Sequence, residues 1–341
     1  MRAVLAVASA ATLALALGIA SCGRTEPPLA PPAPTGSAGA RPGPAPRAEA
    51  TSTGGSGGSG RREPSAASPP AVDPWARWPM PNPHLPGLPN SHRYDTTAAG
   101  VVVDQVTGLM WQRTLPNAFF TFDGAGRHCD EMTLGGHQDW RLPSRIELVS
   151  LLDTTRTQPS IDVETFPGTP SDWFWTSSPA NGDPNAAWYV YFYFGYPKTD
   201  DRGSKFSVRC VRSDRASAPA KPRYKVRTAD VLDADTGLDW QRVVSSKPLP
   251  FDGAARYCNR LVTAGKRGWR VPTLTELLTI VDERTDSPMI RRAAFPDTPG
   301  EPFWSSSTFA NGKELAWYVR FDSGAGLYGR LSEAFRVRCV R

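Results

Sequence analysis

After Pro143 the apolar positions Ile146, Leu148, Val149, Leu151 and Leu152 recur at helical spacing. After Pro272 the pattern returns at Leu274, Leu277, Leu278, Ile280 and Val281. Each run predicts a helix with an apolar stripe that has to be buried. Its start is marked twice: proline keeps the preceding residue extended, and Ser144 with Glu147, or Thr273 with Glu276, has the spacing of a capping box. Local hydrogen bonding thus accounts for both glutamates without a catalytic role. Upstream, Phe122, Ala125 and Cys129 share one helical face, as do Phe251, Ala254 and Cys258, with Asp123 and Asp252 as expected N-caps. Thr107 to Arg113, and Thr236 to Arg242, read as a turn entering a strand. Later stretches have strand composition: Phe174 to Ser178, Ala187 to Phe192, and Phe206 to Arg212. In the last of these, Phe206, Val208 and Cys210 fall on one face, and Ser207 and Arg209 on the other.

These positions repeat at a separation of 129 residues: Trp111 and Trp240, Trp140 and Trp269, Trp175 and Trp304, Trp188 and Trp317, Cys129 and Cys258, Cys210 and Cys339. Two copies, 104–212 and 233–341, are each of ordinary domain size. With their flanks the expected domains are 89–212 and 224–341, joined by a linker at 213–223. A fragment from Asp95 onward is expected to contain both. Ahead of them, Arg2 and a small-residue and Leu/Val run lead to Leu17-Gly18-Ile19-Ala20-Ser21-Cys22, which resembles a bacterial lipobox. Residues 1–21 then read as a lipoprotein signal peptide and Cys22 as the lipidated mature N-terminus. A retained membrane helix is the competing reading, but the run is short for a span of ~20 residues and is broken by Gly18. Gly23 after the cysteine points to the outer membrane, facing the periplasm or the cell surface. Residues 22–88 are rich in Pro, Gly, Ala and Ser and read as a disordered tether.

Cysteine use follows from export. Cys22 is assigned to lipid, leaving one pair per copy, Cys129 with Cys210 and Cys258 with Cys339, as disulfides of an oxidising compartment. Buried free thiols and crossed pairing between copies are the alternatives. No Cys/His spacing resembles a zinc site, and neither a metal nor another cofactor is expected.

The series TGLMWQR, FDGAGRHC, DWRLPSRIEL, FWTSS, AWYV and VRCVR resembles the Lcl C-terminal domain, a family of unknown function found in exported bacterial proteins. The resemblance covers both copies. It implies an α+β architecture of two tandem C-type lectin-like domains, each with two helices and a small antiparallel sheet, and with ligand contacts carried by an irregular loop region. The Glu-Pro-Asn, Gln-Pro-Asp and Trp-Asn-Asp signatures of calcium-dependent sugar binding are missing. Asp200-Asp201 has Gly329-Arg330 as its counterpart, so no calcium site is carried over.

Charge separates the copies. Residues 104–212 hold 10 Lys and Arg against 13 Asp and Glu, net −3; residues 233–341 hold 16 against 13, net +3. One segment is aromatic in the first copy, with Tyr191, Tyr193 and Tyr196. Its counterpart in the second carries Arg320, Asp322, Tyr328 and Arg330. Aromatic rings suit sugars or protein partners, and arginines suit sulfate, phosphate or carboxylate groups. The two histidines of the first copy, His128 and His137, have Tyr257 and Lys266 as counterparts, and no Ser/His/Asp arrangement stands out. The expected function is therefore non-enzymatic binding or adhesion at the cell envelope, with a polyanionic glycan or an extracellular protein as partner. A structural or scaffolding role without glycan binding is the alternative, and an active site in the first copy is a weaker third reading. Nucleic acid is not an expected partner of a lipid-tethered export product.

Overall fold

The computed structural model describes residues 74–214 and 222–341. The lipobox, Cys22 and most of the expected tether lie outside the described residues. Among the described residues, no helix is long and apolar enough to cross a membrane.

In the first repeat, strands β1 (Tyr94–Asp95), β2 (Val101–Asp104), β3 (Met110–Gln112) and β7 (Val211–Arg212) form an antiparallel sheet in the order β1-β2-β3-β7. Between β3 and β7 the chain builds helices α1 (Phe122–Asp130) and α2 (Arg145–Val149). A second antiparallel sheet of β4 (Trp173–Pro179), β5 (Ala186–Tyr191) and β6 (Tyr196–Asp201) follows. The second repeat has the same order: β8 (Tyr224–Val226), β9 (Asp230–Asp233), β10 (Asp239–Gln241), α3 (Phe251–Arg260), α4 (Leu274–Leu278), β11 (Pro302–Thr308), β12 (Leu315–Arg320) and β13 (Gly326–Arg330). Its closing strand is reduced to single bridges of Val340 with Trp240 and Arg270. The chain is thus α+β, with small antiparallel sheets.

The starts of α2 and α4 are capping boxes. Ser144 and Thr273 accept from the backbone N–H of Glu147 and Glu276, whose carboxylates accept the N–H of Ser144 and Thr273 in return. The same carboxylates also hold a preceding arginine in bidentate pairs: Arg141 at 2.6 and 2.7 Å from Glu147, and Arg270 at 2.7 and 2.6 Å from Glu276. The repeated Trp-Arg-x-Pro-Ser/Thr-x-x-Glu motif is therefore a closed local unit. Both helices end sooner than the apolar spacing predicts, and Leu151, Leu152, Ile280 and Val281 are buried in the turns that follow. The N-cap of α1 is Thr121 and that of α3 is Pro250, not the expected aspartates. Asp123 and Asp252 lie inside the first turn, where negative charge complements the helix dipole.

Both expected disulfides are present, Cys129–Cys210 and Cys258–Cys339, each spanning 81 residues and tying the first helix of its repeat to the C-terminal segment. That segment departs from the expected continuous strand. Phe206 and Ser207 make only isolated bridges, and Arg209 turns inward instead of lying on an outer face. The Arg209 guanidinium is fully buried, donating to the carbonyls of Gln112 and Arg113 and to the Thr169 hydroxyl, over the Phe166 ring. Arg338 repeats this with Gln241, Arg242, Thr298 and Phe295. Among the described residues no carboxylate pairs with either guanidinium, and burial lowers both values to about 9.

One large apolar core runs through both repeats, taking Trp188, Val190 and Phe192 from one and Trp317, Val319 and Phe321 from the other. Each disulfide sits in a smaller cluster of its own repeat. The expected tether ends early: Trp75, Ala76, Trp78, Met80 and Asn82 are buried, although their surroundings are rich in proline. Trp75 lies under the guanidinium groups of Arg223 and Arg284, Arg77 pairs with Asp235 at 2.6 Å, and Asn82 bonds to Glu276 and Thr273. Residues 74–82 thus strap the second repeat before the chain enters the first. The expected linker also ends early, since Arg223 is buried in a bidentate pair with Asp233.

Candidate functional site

Strand pairing places Trp173 opposite Tyr191 at the end of the β4–β5 ladder. Their rings stack with centroids 5.1 Å apart and planes 12° from parallel. Tyr193 extends the column at 5.7 Å and 19° from Tyr191. Cross-strand partners on one face of a sheet stand side by side, which is why the rings stack. Phe206 also lies against Trp173, with ring centroids 5.6 Å apart and planes tilted by 31°. Trp173 is 40% exposed, while Tyr191 and Tyr193 are half-buried. Neither phenol hydroxyl nor the Trp173 indole N–H has a hydrogen-bond partner among the described residues. The column therefore presents three polar groups on a rigid aromatic support, and burial raises the Tyr191 phenol above its ordinary value.

Tyr196 takes a different role. It meets Tyr191 edge-on at 5.6 Å and faces Trp317 of the other repeat at 6.2 Å, while Phe194 packs on Phe309 and Tyr328. The expected aromatic loop is thus split between a surface column and the joint between repeats. Burial pushes the Tyr196 phenol up to about 12, helped by Tyr191 and Tyr328.

In the second repeat the positions of Trp173, Tyr191 and Tyr193 are held by Pro302, Arg320 and Asp322. Arg320 and Asp322 form a two-pronged ion pair. Burial works against the Asp322 charge, but the hydrogen bonds and charge of Arg320 outweigh it and hold the carboxyl below its usual range. Tyr328 is not a loop residue beside this pair: it stacks on Phe309 at 4.4 Å within the joint. Arg330 pairs with Leu315 at the far end of β12, five residues from Arg320, which puts the two arginines about 17 Å apart at normal strand rise. The expected basic loop of Arg320, Asp322, Tyr328 and Arg330 is therefore not one site.

Trp173 is the residue sequence reasoning missed. Its signal was the substitution of Trp173 by Pro302 directly ahead of a shared Phe-Trp pair, a change of chemistry inside an otherwise matched frame. Other polar side chains of the frame have local roles. Ser178 and Ser307 accept the backbone N–H of Arg145 and Leu274 at the helix starts, His128 lies on Phe120, and Asp200 and Asp201 accept from their own turn. Among the described residues, no group of three His, Cys, Asp or Glu side chains is placed to hold a metal ion.

Asp104 and Asp233 open the equivalent turns, accepting from backbone N–H groups two and three residues on, but only Asp233 has an arginine. The second carboxylate oxygen of Asp104 is buried with no hydrogen-bond partner among the described residues, and burial raises its value. Beside it, burial lowers the value of His92, which bonds to Tyr94 at 2.8 Å. Asp104→Asn should therefore cost about 1 kcal/mol or less, whereas Asp233→Asn breaks a buried pair and should cost about 3–5 kcal/mol. The sign with pH follows. A carboxyl raised in the fold above 3.8 penalises the native state at neutral pH, and that penalty fades as pH falls through the raised value. Thermal melts should show wild type gaining on Asp104→Asn as the solution is acidified. An unchanged difference between pH 7 and the acid range would refute this account of Asp104.

Two disulfide-closed α+β repeats, built on matching Arg-Glu caps and buried C-terminal arginines, define a tandem domain protein. The chain belongs to the Lcl C-terminal domain family, whose model matches residues 100–212 and again 229–341. No curated protein matches it.

Proposed function

We infer that this protein is a non-enzymatic binding module of the cell envelope, tethered through Cys22 and built on two C-type lectin-like frames. Its ligand is a glycan or similar extracellular polymer. The observation that carries this reading is the column of Trp173, Tyr191 and Tyr193, whose unpaired hydroxyl and indole groups crown a stack that the second repeat replaces with a closed ion pair. Such groups suit a polymer rich in hydroxyl and amide acceptors, held by hydrogen bonds and ring contact. Arg320 is already engaged by Asp322, which argues against polyanion capture at that position and favours an uncharged or weakly charged polymer.

The test uses the chain from residue 23 onward, against a panel of neutral and acidic polysaccharides in affinity electrophoresis and calorimetry. Trp173→Ala and Tyr193→Ala should each weaken binding by about tenfold, which corresponds to about 1.4 kcal/mol. The paired change Arg320→Ala and Arg330→Ala should leave it unchanged, and added salt should have little effect. Binding that survives loss of the column but falls with the arginines or with salt would reverse the assignment. Failure to bind any polymer would refute it.

A further inference from the structure

The two repeats treat one carboxylate differently. In the second, Glu301 receives the Arg336 guanidinium at 2.7 Å, and Arg336 also donates to the Ser245 carbonyl at 3.0 Å. In the first, Asp172 and Ser207 stand at the positions of Glu301 and Arg336, so the carboxylate remains and the cation is gone. The backbone frame around them is the same. The Phe192 N–H donates to the Asp172 carbonyl at 2.9 Å and the Phe321 N–H to that of Glu301 at 3.3 Å, while Ser207 and Arg336 offer their carbonyls to Trp175 and Trp304 at 3.1 and 2.9 Å. Asp172 is half-buried, its carboxylate accepts the Trp173 N–H at 2.8 Å, and it has no ion pair among the described residues.

This open carboxylate adjoins the aromatic column. Asp172 directly precedes Trp173, and Trp173 pairs with Tyr191 across the ladder. Burial raises the Tyr191 phenol, and Tyr193 and the Asp172 charge add to the effect, as close neighbours do. At the matching positions of the second repeat, Glu301 with Arg336 and Asp322 with Arg320 make two closed ion pairs. The first repeat keeps one carboxylate, brings no cation of its own within ion-pairing distance among the described residues, and sets three rings beside it. The second repeat thus displays the chemistry that the Asp172 position is built to take, a nitrogen cation.

We propose that Asp172 receives an ammonium group of the ligand, so that the polymer bound on the column is an amino-sugar polymer with some of its amino groups free. This inference rests on the column as the ligand site and adds the ligand's charge to it. The ammonium takes the place that the Arg336 guanidinium holds in the second repeat, and a hydrogen bond between ionised partners is stronger than a neutral one. The hydroxyl and indole groups of the column meet the hydroxyls of the same sugar chain, which a lysine side chain lacks; a glycan is therefore favoured over a basic protein as the source of the cation. Scattered free amines leave such a polymer weakly charged.

Calorimetry with the chain from residue 23 onward tests this, comparing partly deacetylated chitin oligomers with fully acetylated ones of the same length. In mildly acidic solution, where the amine carries its proton, the deacetylated oligomer should bind about tenfold more tightly. Added salt, or an alkaline solution that removes the proton, should erase that preference. Asp172→Asn keeps an acceptor for the Trp173 N–H and should bring the two oligomers to similar affinity. Ser207→Arg should close Asp172 from within, as Arg336 closes Glu301, and abolish the preference too, with thermal melts confirming that both variants are folded. A preference that survives Asp172→Asn, or the absence of any preference in the wild type, would overturn the proposal. So would failure to bind either oligomer, or tighter binding of polylysine, which would make the cation a protein's. The column is judged separately: if both oligomers bind equally and both weaken with Trp173→Ala, the amine assignment fails while the column stands as the ligand site.

Discussion

A chain begun at Asp95, which retains both helices and every strand of each repeat except for the loss of Tyr94 from β1, is expected to lose the cooperative melting of the chain that begins upstream of Trp75. The reason lies in what residues 74–82 cover. Ala76, Trp78 and Met80 belong to the core that joins the repeats, and Trp75 closes over two arginines, one of which is the buried partner of Asp233. Removing the strap also leaves Glu276 and Thr273, which cap α4, without the Asn82 side chain. The single change Trp78→Ala isolates the packing contribution and should cost about 3–5 kcal/mol, as expected for truncating a buried aromatic. Differential scanning calorimetry with near-ultraviolet circular dichroism reads both effects. The truncated chain should melt at a lower temperature with a smaller enthalpy and an altered tryptophan signal. A truncated chain with the full-length melting temperature and enthalpy would show that the strap is dispensable. The consequence is practical: ligand tests on a fragment lacking the strap would measure a damaged second repeat.

Much of this fold is legible in the residues because its strongest signals are local or duplicated. Ser144 with Glu147 specifies a helix start through bonds three residues apart, and recurrence at Thr273 with Glu276 doubles the signal. The cysteines are likewise readable, since each repeat holds one pair at the same separation of 81 residues. What sequence reasoning did not reach was tertiary. Composition alone cannot show that Trp75 and Trp78 leave a proline-rich stretch to enter a core made mostly by residues far along the chain. Alternation put Arg209 on an outer face because a charged residue is a poor core candidate, yet three backbone or side-chain oxygens and the Phe166 ring receive it. The candidate site shows the same limit. Tyr191 and Tyr193 were visible as an aromatic cluster, but the Trp173 that completes the column lies 18 residues before Tyr191 and becomes its neighbour only through strand register. Arg320 and Arg330 looked adjacent through sequence proximity, and the same register separates them.

Glu283→Ala is expected to destabilise the protein by about 3–5 kcal/mol, although Glu283 lies outside the Trp173 column. Its carboxylate receives the Arg145 side chain of the other repeat at 2.6 Å, with both side chains almost wholly buried. Arg145 also donates to the Val281 carbonyl at 3.3 Å and lies over the Trp188 ring at 5.3 Å, while one of its terminal nitrogens has no partner among the described residues. Withdrawing the glutamate leaves a cation in an apolar joint with one weak acceptor, a cost that the packing cannot relieve. The duplicated frame supplies the control, because the equivalent positions hold Leu274 and Thr154 and need no ion pair. Replacing both partners together, Arg145→Met with Glu283→Leu, removes the buried charges at similar volume and should be close to neutral. A double-mutant cycle measured by chemical denaturation should therefore show strong positive coupling between the two positions. The double variant should keep the wild-type melting cooperativity while each single variant loses stability. If the double variant is as unstable as the sum of the singles, the pair contributes packing rather than charge compensation, and this account of the joint fails.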